Sequence, residues 1–243
     1  MKVALLLFGQ PRCVENLKVF NSHLEHIINK YSTDVFCHAW YEPNLIFKPS
    51  SWSKLQDIKC DDSAINIINE KYKPKIFEFD KPITFLINDN YLNSPRIKKY
   101  DHYLNSLNVS NIISQLYSIN KVSKLFEEYC KINKEKYNFV ILARYDLIIF
   151  DFPLLYNLDE NFFYRMNHHP HFPDLFFIFN QKFIQTQYTY QNIELILNKI
   201  VNNEIPDVNF WDMSPECLKY NNYLLYFPDS LIRGVNIIEK RNT

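Results

Sequence analysis

Six consecutive apolar residues, Val3 to Phe8, stop at Gly9-Gln-Pro-Arg12, the pattern of a strand buried on both faces and followed at once by a turn. Val14, Leu17, Phe20, Leu24, Ile27, Ile28 and Tyr31 then recur at helical spacing and predict a helix over 13–31 with one face on a core. Asp34-Val-Phe-Cys-His-Ala-Trp40 predicts a second short strand. Strand, helix, strand in so few residues marks a parallel crossover unit. Residues 41–59, rich in Pro and Ser, read as a loop; 61–72 reads as a helix capped by Asp61 or Asp62, and 74–79 as a third strand.

Residues 80–110 are polar and irregular, hold Pro82 and Pro95, and are expected to form a long excursion near a binding cleft or a mobile loop. Ser110 is expected to cap a long helix whose buried stripe is Ile112, Ile119, Val122, Leu125, Phe126 and Tyr129. The most apolar stretch, 139–150, is predicted as one central strand interrupted by Arg144, Tyr145 and Asp146, with an end that opens on a site. Two further strands, 162–166 and 174–179, flank Asn167-His-His-Pro-His-Phe-Pro173. A helix over 181–201, another from Ser214 and a last strand-like stretch over 223–238 complete the pattern. No repeat or linker divides it, so one α/β domain over 1–243 is expected.

Composition narrows the chemistry. Twenty-seven basic and 27 acidic side chains cancel, leaving no global field to hold a nucleic acid or an anionic membrane. With only Gly9 and Gly234, neither the dinucleotide fingerprint nor the Walker loop can form, since both need several glycines for close backbone approach to a phosphate. Asn is abundant and is expected to fill many turn positions of positive φ. The odd, dispersed cysteines (Cys13, Cys37, Cys60, Cys130, Cys217) argue against a zinc knuckle or a disulfide framework and for a reducing compartment. No apolar run approaches the ~20 residues of a membrane span, and the first apolar run reads as a strand in preference to a signal peptide.

Arg144 and Asp146 carry the strongest chemical signal. Burying either charge in a strand costs on the order of several kcal/mol unless it meets a partner or a ligand, and alternation sends both to one face. Two readings stay open: a structural salt bridge, or a carboxylate for the metal or ribose of a nucleotide beside an arginine for its phosphates.

Gly9-Gln-Pro-Arg12 after the opening strand, Asp34 to Trp40, Ser114-Gln-Leu-Tyr-Ser118 and Ala143-Arg-Tyr-Asp146 come in an order that resembles a group of bacterial and giant-virus glycosyltransferase-like proteins. These are similar to WavE-type polysaccharide-synthesis proteins. Pro173-Asp174-Leu-Phe-Phe and Ser214-Pro-Glu216 extend the match over most of the chain. The resemblance implies a GT-A-like fold, a mixed, mostly parallel, Rossmann-like sheet flanked by helices. Residues 1–150 or so would bind the nucleotide-sugar donor and 151–243 a glycan or lipid-linked acceptor. It further implies a divalent ion, Mn or Mg, held by Asp-x-Asp at the end of a central strand. The matching tripeptide here is Arg144-Tyr145-Asp146, so the first carboxylate is absent. Asp146 is the remaining metal ligand, and the ion is expected to be weakly held or dispensable because the arginine itself neutralises diphosphate charge.

The other roles follow position. Gly9, Gln10 and Arg12 lie where open α/β sheets bind ligands, with Arg12 facing the phosphates or forming part of a solvated turn. Ser114, Gln115 and Ser118 stand near the start of the long helix, where anions are favoured, or form a polar face. Arg233 closes over the diphosphate or is a surface residue. His38 and Trp40 border the cleft, with Trp40 stacking on a ligand or lying in the core. His168, His169, His171 and Asp174 match no standard zinc spacing. Asp174 is the candidate base for the acceptor hydroxyl, or a turn aspartate. Glu216 reads first as helix N-terminal chemistry and second as an acceptor-binding carboxylate or base. The function expected is a cytoplasmic glycosyltransferase, in the host cytoplasm if viral. The alternatives are a catalytically silent nucleotide- or sugar-binding module and, against the glycine count, a nucleotidyltransferase. The sequence sets no oligomeric state.

Overall fold

The computed structural model describes residues 1–51, 56–99, 105–166, 175–205 and 212–241. From the N-terminus, β1 (Lys2–Gly9) leads through α1 (Leu17–His23) and a π-helical turn (Leu24–Ile28) to β2 (Ser32–Trp40). The short β3 (Ile46–Phe47) and β4 (Ile58–Lys59) pair with each other before α2 (Ala64–Tyr72) and β5 (Ile76–Asp80). Two single-turn helices, α3 (Asp89–Leu92) and α4 (Pro95–Lys98), precede the long α5 (Ser106–Asn133). Next come β6 (Phe139–Arg144), β7 (Leu147–Asp151), β8 (Phe163–Met166) and β9 (Phe176–Phe179). The chain continues through α6 (Ile193–Val201) and α7 (Pro215–Leu224) to β10 (Ile232–Val235) and β11 (Ile238–Arg241).

The main sheet has seven strands in the order β10-β8-β9-β6-β1-β2-β5. Six share one direction, and β9 alone runs antiparallel to both neighbours. This is the mixed, mostly parallel α/β sheet, flanked by helices, that the sequence implied. β1 lies between β2 and β6 and is apolar from Val3 to Phe8 because both of its faces are covered. One face packs Val3, Leu5 and Leu7 with Ile27, Val35 and Ile141; the other packs Ala4, Leu6 and Phe8 with Phe36, Phe126 and Phe177. Helix α5 serves both groups, with Val109, Ile112, Ile113 and Leu116 in the first and Ile119, Val122 and Phe126 in the second.

Several boundaries differ from the sequence expectation, each for a local reason. The first helix begins at Leu17, not at residue 13, because Cys13 has φ 60° and Asn16 caps the helix by accepting from the Lys18 amide. Helix α2 starts at Ala64; Asp61 stands outside it and accepts from the Ser63 amide at 2.7 Å. Helix α5 is capped by Asn105, so Ser110 is interior, and its hydroxyl accepts instead from the Phe85 amide at 3.0 Å. The stretch 139–150 is not one strand: a turn at Tyr145 and Asp146 breaks it, and β7 leaves the main sheet to pair antiparallel with β11. Gln181–Gln187 is a 3-10 segment separate from α6, and Tyr223 lies in the last turn of α7 instead of opening a strand. Positive φ falls on Asn44 and Asn203 as expected, but also on Lys73 and Lys134, which terminate α2 and α5.

All five cysteines are free, and only Cys13 is more than slightly exposed. Burial pushes the thiols of Cys37, Cys130 and Cys217 up to about 12 and that of Cys60 up to about 11. A thiol reagent at pH 8 is therefore expected to modify one cysteine quickly in the folded protein and all five after unfolding without reductant. Mass spectrometry counts the adducts; two or more cysteines blocked in the unfolded chain would contradict free thiols. No helix among the described residues is long and apolar enough to cross a membrane.

Candidate anion site at the sheet switch point

The chain runs from β1 outward through β2 to β5 and then crosses back to place β6 on the other side of β1. Ligands of open α/β sheets sit at the carboxyl ends of strands where the order reverses in this way. Here that point lies between the ends of β1 and β6, where Phe8 pairs with Arg144. The two turns leaving it are Gly9-Gln-Pro-Arg12 and Arg144-Tyr-Asp146.

Asp146 is the centre of the cluster. Its side chain is 2% exposed; Arg144 Nη2 donates to its Oδ2, and Arg12 Nε lies 4.0 Å from the same oxygen. Its Oδ1 is buried and has no hydrogen-bond partner among the described residues. A buried acceptor without a donor is costly, which makes this oxygen at the strand end a candidate contact for a ligand or an ion. The salt-bridge reading of Arg144 and Asp146 is thus correct for Oδ2 and leaves Oδ1 open to the second reading. Among the described residues, two guanidiniums thus stand beside this one carboxyl group.

The turn that bears Asp146 is anchored from below. Tyr145 is fully buried in the core beside β2 and α2, and burial raises its phenol well above the ordinary value. His23, at the end of α1, holds the next residue: its Nε2 is 2.8 Å from the Leu147 carbonyl, and its Nδ1 is 2.9 Å from the Tyr72 hydroxyl. A carbonyl can only accept, so Nε2 carries the proton and Nδ1 accepts from Tyr72. Burial, opposed by the Leu147 carbonyl and Asp146, lowers the imidazole to about 4. Because the folded value lies below the ordinary 6.5, the unfolded chain binds the extra proton first; the stability from neutral His23 is complete above about pH 7 and drains away as pH falls toward 4. Between pH 7.5 and 4.5 wild type is expected to lose about 2 to 3 kcal/mol more than His23→Gln, measured by urea denaturation at each pH. Parallel losses in the two proteins would remove His23 from the account.

A second set of polar groups lies one strand over. Ser118 Oγ on α5 accepts from the Gly9 amide at 2.8 Å and lies 2.7 Å from His38 Nδ1 on β2. His38 Nε2 is 3.2 Å from Asp80 Oδ2 at the end of β5, and the Tyr117 hydroxyl donates to that oxygen at 3.0 Å. Burial keeps His38 below its ordinary value although Asp80 opposes this. Asp80 is held low in spite of burial by the hydrogen bonds from His38 and Tyr117. Gly9 itself has φ 98°, with open space where a Cβ would point.

The structure thus brings Gly9, Arg12, Arg144 and Asp146 together, with Gln10 in the same turn. Trp40 is a buried residue, as one reading had it; its Nε1 donates to the Ser114 carbonyl at 3.2 Å, and its ring packs on Tyr117 and Phe85. Ser114, Gln115 and Ser118 do not stand in the first turn of their helix, since α5 starts at Ser106, so the anion-favouring helix end does not act through them. Arg233 sits on the outermost strand, over the Phe162 ring, and donates to the Ser230 and Ile232 carbonyls. Three strand spacings, roughly 14 Å, separate β10 from β6. Glu216 is in the first turn of α7, behind the Ser214 cap and Pro215, as its helix-end reading requires. Asp174, His168, His169 and His171 lie outside the described residues. His23 and Asp80 carried no distinctive motif, and Tyr117 stood within Ser114-Gln-Leu-Tyr-Ser118 with no role assigned to it; Asp80 could have been found by asking what ends each parallel strand.

A buried carboxylate beside two guanidiniums, at the switch point of a mostly parallel sheet, is the arrangement that these residues define. No protein-family model matches the chain, and no curated protein matches it. Among solved structures, the crystal structure of the glycosyltransferase GlyE in Streptococcus pneumoniae TIGR4 is similar with a TM-score of 0.41 and 11% identity, over 97% of this chain. The chain spans 46% of that protein's length.

Proposed function

We propose that the protein is a GT-A-like glycosyltransferase that moves one sugar from a nucleotide-diphosphate-sugar donor to a hydroxyl of a glycan or lipid-linked acceptor. The observation that carries this reading is the buried Asp146 carboxylate, with one oxygen unmatched, set between Arg12 and Arg144 at the switch point. Cleavage of the anomeric C–O bond leaves its electron pair on the diphosphate, and fixed guanidiniums in a low-dielectric crevice stabilise that charge as it develops. The acceptor oxygen bonds to the anomeric carbon and gives its proton to a carboxylate, for which Asp174 and Glu216 are the proposed bases. Manganese or magnesium would be held by Asp146 Oδ1 with phosphate oxygens and would add charge neutralisation. One protein ligand, its second oxygen already committed to Arg144, holds such an ion weakly. Residues 1–150 as the donor half, 151–243 as the acceptor half, a WavE-type affiliation and a cytoplasmic setting belong to the same reading. A second reading, a silent nucleotide- or sugar-binding module, is favoured by one observation: Arg144 occupies the place of the first metal-binding carboxylate.

The test is release of nucleoside diphosphate from a panel of nucleotide sugars, with manganese and with chelator. Release from at least one donor, reduced less than about tenfold by chelation, is the expected result. Binding of a nucleoside diphosphate without any turnover would favour the silent module. Neither turnover nor binding would overturn both.

A further inference from the structure

We infer that Ser118, His38 and Asp80 form a relay of oriented hydrogen bonds that positions the Gly9–Arg12 turn, and with it the Arg12 guanidinium, by fixing His38 in a single tautomer. The functional part of this inference rests on the anion-site reading above.

Hydrogen counting gives the direction of every bond. The Gly9 N–H can only donate, so Ser118 Oγ accepts it and keeps one proton of its own. The acceptor within reach of that proton is His38 Nδ1, which must then be unprotonated. The His38 proton therefore sits on Nε2 and points at Asp80 Oδ2, which can only accept while ionised and also receives the Tyr117 hydroxyl. Were the proton on Nδ1 instead, Ser118 would face two donors in a site from which water is excluded, as both His38 and Ser118 are fully buried. Asp80 selects the tautomer, and the tautomer holds the amide at which β1 ends and its turn begins. At φ 98°, Gly9 has no side chain to pack and stands at the end of the β1–β2 ladder opposite Ala39, so the amide bond to Ser118 extends the restraint of the sheet to the start of the turn.

The arrangement has the residue types of a hydrolytic Ser-His-Asp chain and cannot work as one. Ser118 Oγ is inaccessible and already holds an amide. Ser118, His38 and Asp80 are positioning residues. The groups that face His38 are Asp80 and Glu78 from β5 and Tyr117, Ser118 and Lys121 from α5.

Two substitutions that remove the same charge isolate the hydrogen bond. Asp80→Asn keeps an acceptor for His38 Nε2, whereas Asp80→Ala does not. The probe is inorganic pyrophosphate, titrated calorimetrically into the full chain at pH 7.5, with melting temperatures measured in parallel. Asp80→Ala is expected to bind pyrophosphate about fivefold more weakly than Asp80→Asn, the worth of one buried hydrogen bond, at closely similar melting temperatures. 15N spectra of histidine-labelled protein, with the His38 signals assigned by their loss in His38→Asn, are expected to show the proton on Nε2 in wild type and Asp80→Asn and a mixture in Asp80→Ala. Equal pyrophosphate affinity in the two Asp80 variants, or a proton on Nδ1 in wild type, would overturn the inference. Failure of wild type to bind pyrophosphate would overturn the anion-site reading instead, and the tautomer spectra would still decide the relay.

Discussion

Arg144→Ala is expected to lower the affinity for a nucleoside diphosphate by about ten- to a hundredfold, the range of one charge-assisted hydrogen bond lost in a buried setting. The loss has two parts. On the proposed reading, a guanidinium that would meet the phosphates is gone, and Asp146, stripped of its ion-pair partner, would face them as a like charge. Asp146→Asn acts differently, because the amide oxygen can still accept from Arg144 and the turn keeps its shape. It is expected to fold and to cut turnover at least about tenfold, roughly 1.4 kcal/mol. Chelation should cost binding only about 1 to 2 kcal/mol, since a lone carboxylate oxygen contributes little to metal affinity. Calorimetric titration of a nucleotide panel with metal, with chelator and with each variant decides among these. Complete loss of binding on chelation, with Arg144→Ala behaving as wild type, would make Arg144 structural and place the metal on other carboxylates.

The largest stability effect is expected at a different arginine. Arg96 on α4 grips Asp212, just before α7, through Nε at 2.9 Å and Nη2 at 3.1 Å, and its Nη1 donates to the Ile205 carbonyl at 2.7 Å. Asp212 is 3% exposed. Removing one partner of such a pair leaves an uncompensated buried charge, so Arg96→Ala is expected to cost about 3 to 5 kcal/mol in urea denaturation. The double variant Arg96→Ala with Asp212→Leu is expected to be more stable than Arg96→Ala alone, because no orphan charge remains. A double variant that simply adds two losses would show that the two residues do not act as a pair.

The readable part of this protein was the part dictated by period and burial. β1 was legible because a strand covered on both faces must be apolar throughout, and β2 and the edge strand β5 because short apolar-rich segments followed each helical pattern. Gly9, Arg12, Arg144 and Asp146 were legible because a glycine and charges stood where one apolar run ended and another was interrupted. What stayed hidden was decided by tertiary partners. Nothing local distinguishes Ser118 from Ser114, yet one reaches the Gly9 amide and the other lends only its carbonyl to Trp40. The break at Tyr145 is invisible in an apolar run, since Leu147 to Phe150 would suit either continuation of the same strand or departure to pair with β11. Asn105 displaced Ser110 as a cap because both residues are good caps, and Phe85 claimed the serine.

The central position of β1 has a consequence for how the chain is made. Its two flanking strands emerge at very different times: β2 directly after the first helix, β6 only once residue 139 has been added. The Gly9 amide likewise waits for a hydroxyl 109 residues downstream. At ribosomal rates of roughly 5–20 residues per second, that wait is about 5 to 20 s. For all of it, one side of this apolar strand is an open template for pairing with other nascent chains. Synthesis therefore exposes this edge well before it is covered, and the yield of active protein should depend on holdase chaperones acting on residues 1–140 or so until β6 has been made.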